Sequence, residues 1–274
     1  MICSDLSREL DEPLIGTAPP ERGVLVIERS GPWGRNALAG VEAAARAEAA
    51  GLRVQAVRKV TRRYAVEEPV AWLAGFVPGA RFLERLPLEA LLEVEFSAES
   101  PTGAGVLEDE LLLLCCTHST RDPCCARRGL PLHRALTGTG TPTWHTSHLG
   151  GHRFAATMAA LPLGLWLGRV APEEAHDVVG LLREERIPLS HLRGVAGLPP
   201  AAQAADLAIR AEHGLDRLDD LRWTGDLTFE AADGRVFEAD VTHLPTGIER
   251  PVSCGPDAKR EDPGRFEVAT RTVL

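Results

Sequence analysis

LLLLCCTHSTRDPCCARRG, residues 111–129, and WHTSHLGGHRF, residues 144–154, decide how this chain is read. The span from Leu111 to Phe154 holds four of the six cysteines and five of the nine histidines. An apolar run, Leu111 to Leu114, delivers Cys115 and Cys116 to the end of a strand. A turn at Asp122-Pro123 brings Cys124 and Cys125 back. Downstream, His148 and His152 flank Leu149-Gly150-Gly151. Soft thiolates and imidazoles converging from two loops suit a transition metal or an iron–sulfur cluster.

The segment from Cys116 to Cys125, with His118, Arg121 and Asp122 inside it, resembles the C-x-H-x-x-R-D-x-x-C pattern of the sucrase/ferredoxin-like family. His148 to His152, followed by Arg153-Phe154, is similar to that family's H-x-G-G-H. GTAPPERG at 16–23 and GPWGRNAL at 31–38 extend the likeness towards the N-terminus. The resemblance implies a thioredoxin-like ferredoxin fold and, as in some members, a [2Fe–2S] cluster held by two cysteines and two histidines. The implied ligands are Cys116, Cys125, His148 and His152, with Cys124 as the alternative thiolate. His118, Arg121, Asp122, Gly150 and Gly151 are the expected supporting residues.

The fold class expected is α/β: a thioredoxin-like ferredoxin domain between an α/β N-terminal region and a C-terminal extension. Val24–Glu28 reads as a buried strand. Asn36 caps a helix through the alanine-rich segment that Gly51 ends. Leu52–Val60 is the next strand, and strand–helix–strand implies a parallel unit. Leu86–Leu92 suggests a short helix. The breaker-rich 97–105 marks a boundary, giving regions 1–105, 106–195 and 196–274. In the second region, strand 111–116, helix 124–136, strand 142–146, hairpin 155–161 with 165–170, and helix 172–186 follow the thioredoxin-like order. A helix at 201–213 and a hairpin across Asp233-Gly234 complete the chain. Shifted by 86 residues, Val24–Ile27 overlays Glu110–Leu113, a weak internal repeat that the general similarity of any two βαβ units explains equally well.

At 274 residues with a net charge of −9, the chain is ordinary in composition and ill suited to nucleic acid or an anionic membrane face. The N-terminus lacks the features of a signal peptide, and adjacent cysteine pairs do not form a secreted disulfide framework. A reducing cytoplasm is the expected compartment, and electron donor and acceptor proteins the expected partners.

Zinc is the sharpest rival for the same residues, since two Cys with two His make ordinary structural sites. The eight residues between Cys116 and Cys125 exceed the two to four usual in zinc fingers. Leu149 stands where a zinc protease needs its glutamate. Cys115-x5-Arg121 matches a cysteine-phosphatase spacing, but Pro123 and the lack of glycine make a poor anion nest. No C-x-x-C supports a dithiol oxidoreductase, and no G-x-G-x-x-G supports a bound nicotinamide or flavin. Cys115 reads as core packing, and Cys3 and Cys254 as ordinary thiols.

Overall fold

The computed structural model describes residues 2–59 and 69–273, so Val60, the last residue of the second expected strand, lies outside the described residues. After helix α1 (Cys3–Glu9), the first unit comprises β1 (Gly23–Glu28), α2 (Glu42–Ala49), β2 (Arg53–Arg58), β3 (Val70–Gly75), β4 (Phe82–Pro87) and β5 (Val106–Leu107). Strand β1 is buried on both faces: Val24 and Val26 join one core, Leu25 and Ile27 the opposite one. This is the two-residue side-chain alternation of a strand. Helix α2 starts later than its composition suggests. The Asn36 side chain accepts from the Leu38 amide at 3.0 Å in a local turn, and Gly40 adopts φ +77° before the helix begins. Buried Ala43, Ala44 and Ala47 lay α2 against the sheet, and Gly51 follows its end as expected.

The expected helix at 86–92 is a single 3-10 turn, Leu88–Leu92, because β4 runs on to Pro87. The buried Glu84 carboxylate ties the loop at 102–105 back to β4, accepting from the amides of Thr102, Gly103 and Gly105 at 2.7–3.1 Å. Strand β5 then pairs with β4.

The second unit holds β6 (Leu112–Cys116), α3 (Pro123–Gly138), β7 (Thr143–Thr146), β8 (Thr157–Leu161), β9 (Leu165–Gly168), α4 (Ala175–Arg183) and β10 (Leu192–Val195). Strand β6 pairs parallel with β7 and antiparallel with β8, and β8 pairs antiparallel with β9. That is the order and sense expected of a thioredoxin-like unit. The first unit repeats it: β1 runs parallel to β2 and antiparallel to β3, and β3 is antiparallel to β4. The strands begin at Gly23 and Leu112, so the 86-residue shift falls a few residues short of this structural correspondence. The two units join where β2 meets β7 antiparallel, through Val57 opposite Thr146 and Arg58 opposite His145. The result is one ten-stranded sheet that continues on both sides of residue 105.

Helix α5 (Pro200–His213) closes on Gly214 in the left-handed region, and packs Ala202, Ala205 and Ile209 against Phe229 and Phe237. These phenylalanines belong to a four-stranded antiparallel sheet that contains β11 (Leu221–Gly225), β12 (Thr228–Ala231) and β13 (Val236–Leu244). The β12–β13 turn is the one anticipated at Asp233-Gly234. After β13 the chain returns to the second unit through a two-stranded ribbon, β14 (Arg250–Pro251) and β15 (Arg260–Glu261). It then adds β16 (Arg265–Thr272) beside β13.

Helix α3 lies so close to β6 that a Cβ on Gly129 would stand 2.0 Å from the Cys116 carbonyl oxygen, whereas one on Gly138 would meet nothing within 4 Å. Gly129→Ala should therefore lower unfolding stability by about 3 kcal/mol. Gly138→Ala should leave it unchanged or raise it by up to about 1 kcal/mol. Denaturant titration of the two variants measures both. At the seam, His145 is buried and stacks on His133 with ring centroids 3.4 Å apart. Burial, reinforced by His133 and Arg58, lowers its pKa from 6.5 to about 3. The unfolded chain takes up this proton first, so the associated stability is present above about pH 6.5 and drains away as pH falls towards 3. Wild type should lose more stability than His145→Asn between about pH 7 and pH 5 in the same titration.

Candidate metal centre

Backbone geometry splits both cysteine pairs. On β6, Cys115 turns into the core beneath α3 and α4 with Leu113, and Cys116 turns to the opposite face with Leu112 and Leu114. The Cys115 thiol donates to the Gly129 carbonyl at 3.4 Å, and burial raises its pKa well above the ordinary thiol range. It is a packing residue rather than a nucleophile, and Arg121, its partner in a phosphatase loop, is exposed. On α3, Cys124 and Cys125 are adjacent helical residues and therefore point about 100° apart. Cys125 faces Cys116 and His148, and Cys124 faces Cys3 and Cys254.

One atom each from Cys116, Cys125 and His148 lies within 4.8 Å of the others. Both sulfurs are buried, at 1% residue exposure. Hydrogen bonding from the Cys125 thiol holds Cys116 well below the ordinary thiol range, overcoming burial, with help from His148 and the His118 backbone amide. Cys125, the donor, is raised correspondingly. His148 Nδ1 stands 3.6 Å from Cys125 Sγ, and His148 Nε2 stands 3.3 Å from His152 Nδ1.

The tautomers follow from the partners. His152 Nε2 lies 2.6 Å from the Val252 carbonyl oxygen, which can only accept, so Nε2 carries the proton. Nδ1 is then the acceptor nitrogen of His152, and its lone pair faces His148 Nε2 at 3.3 Å. Asp122 Oδ2, 3.4 Å from the same Nε2, adds a second acceptor. A ligating imidazole is ordinarily oriented in this way by a carbonyl or carboxylate on its far nitrogen.

The H-x-G-G-H loop is held by two arginines. Arg193, 1% exposed, donates to the carbonyls of Gly150, at 3.2 Å, and Thr17. Arg53 donates to the His148 carbonyl at 3.5 Å. Burial lowers the pKa of both, against which the negative charge of Cys116 acts favourably. Gly150 and Gly151 have φ of +78° and +60°, and a Cβ on Gly151 would stand 2.6 Å from the Arg193 guanidinium. The paired glycines thus permit both the backbone turn and the approach of the buried cation.

The expected supporting residues divide. Asp122 caps α3, accepting from the Cys124 amide at 3.0 Å, and its other oxygen accepts from the Cys254 amide at 2.9 Å. His118 gives its backbone amide to Cys116, while its ring bonds the Gly34 carbonyl at 2.8 Å. The Arg121 side chain makes no hydrogen bond or ion pair among the described residues, and only its backbone amide bonds, to the His118 carbonyl at 3.2 Å. Sequence reasoning passed over Arg53 and Arg193, whose role depends on burial, and the returning segment at Val252–Cys254. Cys254, read from the sequence as an ordinary thiol, was the one available signal for that return.

Fold and site together define a thioredoxin-like α/β protein whose second unit brings two buried thiols to a half-buried imidazole. The Sucrase/ferredoxin-like family model matches residues 14–194, and the chain belongs to that family. A solved thioredoxin-like [2Fe–2S] ferredoxin from Aquifex aeolicus is similar at 17% identity, covering 34% of this chain and 97% of that one, with a TM-score of 0.29. A cysteine-to-serine variant of an Aquifex aeolicus thioredoxin-like [2Fe–2S] ferredoxin is similar at 16% identity, covering 30% and 96%, with a TM-score of 0.27. No curated protein matches the chain. Among the described residues, no helix is long and apolar enough to cross a membrane.

Asp122→Ala leaves two buried amides without acceptors and should lower stability by about 2–4 kcal/mol. Arg121→Ala should change it by less than about 0.5 kcal/mol. Thermal or denaturant unfolding of the two neighbouring variants tests the contrast.

Proposed function

We propose that this protein is an electron-transfer or redox-sensing protein that binds a [2Fe–2S] cluster through Cys116, Cys125, His148 and His152. The observation that carries this reading is the donor set: two buried sulfurs and the His148 imidazole meet from a strand end, a helix N-terminus and a glycine-paired loop. His152 stands behind His148 at 3.3 Å, where a shift of its ring would supply the fourth ligand. Such a cluster needs four protein ligands, and two thiolates with two neutral imidazoles leave its oxidised form uncharged, a state suited to burial. When bound, it supplies reversible one-electron chemistry.

The surrounding residues suit that task. Arg53 and Arg193 place positive charge beside Cys116, and the His118 amide donates to its sulfur, so negative charge at the thiolates is stabilised. Charge and hydrogen bonding at the sulfurs are among the factors that set a cluster's potential. His148 borders a surface cleft of about 420 Å³ that Glu21, Glu48 and Arg53 also line. A donor or acceptor protein docking over this cleft would meet the imidazole edge of the site, not its buried sulfurs.

Anaerobically purified protein should be red-brown and carry two irons per chain. Cys116→Ser and Cys125→Ser should each lose the iron, and Cys124→Ser should keep it. His148→Cys should lower the midpoint potential, because a thiolate replaces a neutral ligand. Colourless wild-type protein with one zinc held by these four residues would establish a structural site instead. Iron unaffected by loss of either Cys116 or Cys125 would reject the ligand set.

A further inference from the structure

Three cysteines outside the proposed cluster site meet in space although the chain separates them widely. Cys3 opens α1, Cys124 lies in the first turn of α3, and Cys254 follows β14. Their sulfurs form a triangle: Cys3 to Cys124 is 3.3 Å, Cys124 to Cys254 is 3.1 Å, and Cys254 to Cys3 is 3.5 Å. An oxygen of Asp122 falls within 4.8 Å of all three. We propose that Cys3, Cys124, Cys254 and Asp122 form a second metal site, a four-coordinate zinc-type centre distinct from the Cys116, Cys125, His148 and His152 set.

The geometry favours a metal over a disulfide. A disulfide joins two sulfurs about 2.05 Å apart and leaves a third thiol without a role, whereas these three are nearly equidistant. The spacing is close to what a four-coordinate ion needs. Tetrahedral Zn–S bonds of about 2.3 Å set three sulfurs about 3.8 Å apart, so the thiols spread by about half an ångström to admit the ion. It then sits off their plane, and a fourth ligand completes the coordination on that side. A coplanar three-thiolate ion at the same bond length needs a wider spread, to about 4.0 Å.

The surroundings are arranged for thiolates. The Cys3 amide donates to Cys254 Sγ at 3.3 Å, and the Ser4 backbone amide donates to Cys124. Asp122 holds the amides of Cys124 and Cys254, which fixes both ligands relative to its own carboxylate. Three thiolates and a carboxylate around a divalent ion leave two negative charges. Arg250, 3% exposed, opposes the charge of Cys3, and its Nε and Nη1 have no hydrogen-bond partner among the described residues. Binding would release the three thiol protons and place the metal where those protons would otherwise be shared.

The site would clasp the N-terminal helix and the returning C-terminal segment onto α3. That segment carries Val252, whose carbonyl orients His152.

The test uses full-length protein in which Cys116→Ser and Cys125→Ser remove the proposed cluster site. Cobalt(II), added to the reduced protein, should saturate at one ion per chain with the visible absorption of a tetrahedral thiolate complex. Adding Cys254→Ser should weaken that binding by more than about 100-fold, beyond the loss usual for an outer-shell change. For wild type already holding two irons and loaded with one zinc per chain, zinc X-ray absorption should report three sulfurs and one lighter ligand, a measurement independent of how any variant folds. Failure of the double variant to bind cobalt while it stays folded would overturn the proposal. So would a disulfide between any two of these cysteines in protein handled without oxidant, or zinc absorption showing fewer than three sulfurs. Because the cobalt reading is made without the cluster residues, its failure and the absence of iron in wild type are separate results.

Discussion

The carboxylate of Asp122 is the point on which both donor sets depend. It is 2% exposed, yet each oxygen accepts a backbone amide, one from its own helix and one from the far end of the chain. A buried carboxylate without such donors would be costly. These bonds hold its pKa below the usual range despite burial, with His152 adding a favourable charge when protonated. Through them the first turn of α3 is fixed, and that turn sets the directions of Cys124 and Cys125. The cap, the thiol facing the imidazoles and the thiol facing the termini are one mechanical unit.

A second buried ionic cluster supports it. Glu12 accepts from Arg153 at 2.5 Å and from Arg250. Arg153 directly follows the second histidine, and Arg250 begins the returning ribbon. Removing one member of such a set is more damaging than a surface ion pair suggests, because it strands a desolvated charge. The two termini are therefore part of the site's walls.

Much of this was legible in the sequence where local rules govern. LLLLCC read as a strand because its neighbours are apolar throughout, and two-residue alternation already implied that Cys115 and Cys116 part company. Asp122-Pro123 read as a turn with a helix from Cys124 directly after it, and the structure begins that helix one residue earlier, at Pro123. Asn36 misled because its side chain was free to close a shorter turn. β3 was missed because its run, VAWLAG, carries no alternation when both faces are buried, and β4 because the buried Glu84 breaks the pattern of FLERLP. The role of Arg193 was invisible, since nothing in LRGV distinguishes it from a solvated arginine. The meeting of Cys3, Cys124 and Cys254 is a property of chain return, which no local pattern encodes.

The seam between β2 and β7 has a consequence for assembly. A sheet edge is where a second chain can add itself, and the second unit's β7 edge is occupied by the first unit of the same polypeptide. Residues 23–107 contain no cysteine or histidine, so this inner companion offers none of the ligands used by its neighbour. The arrangement is that of a dimer carried on one chain, asymmetric by construction, with the Cys116, Cys125 and His148 donors in only one of the two copies of the scaffold. A protein docking at the proposed cluster would therefore meet a single orientation, without the symmetry-related alternative that two identical subunits would present.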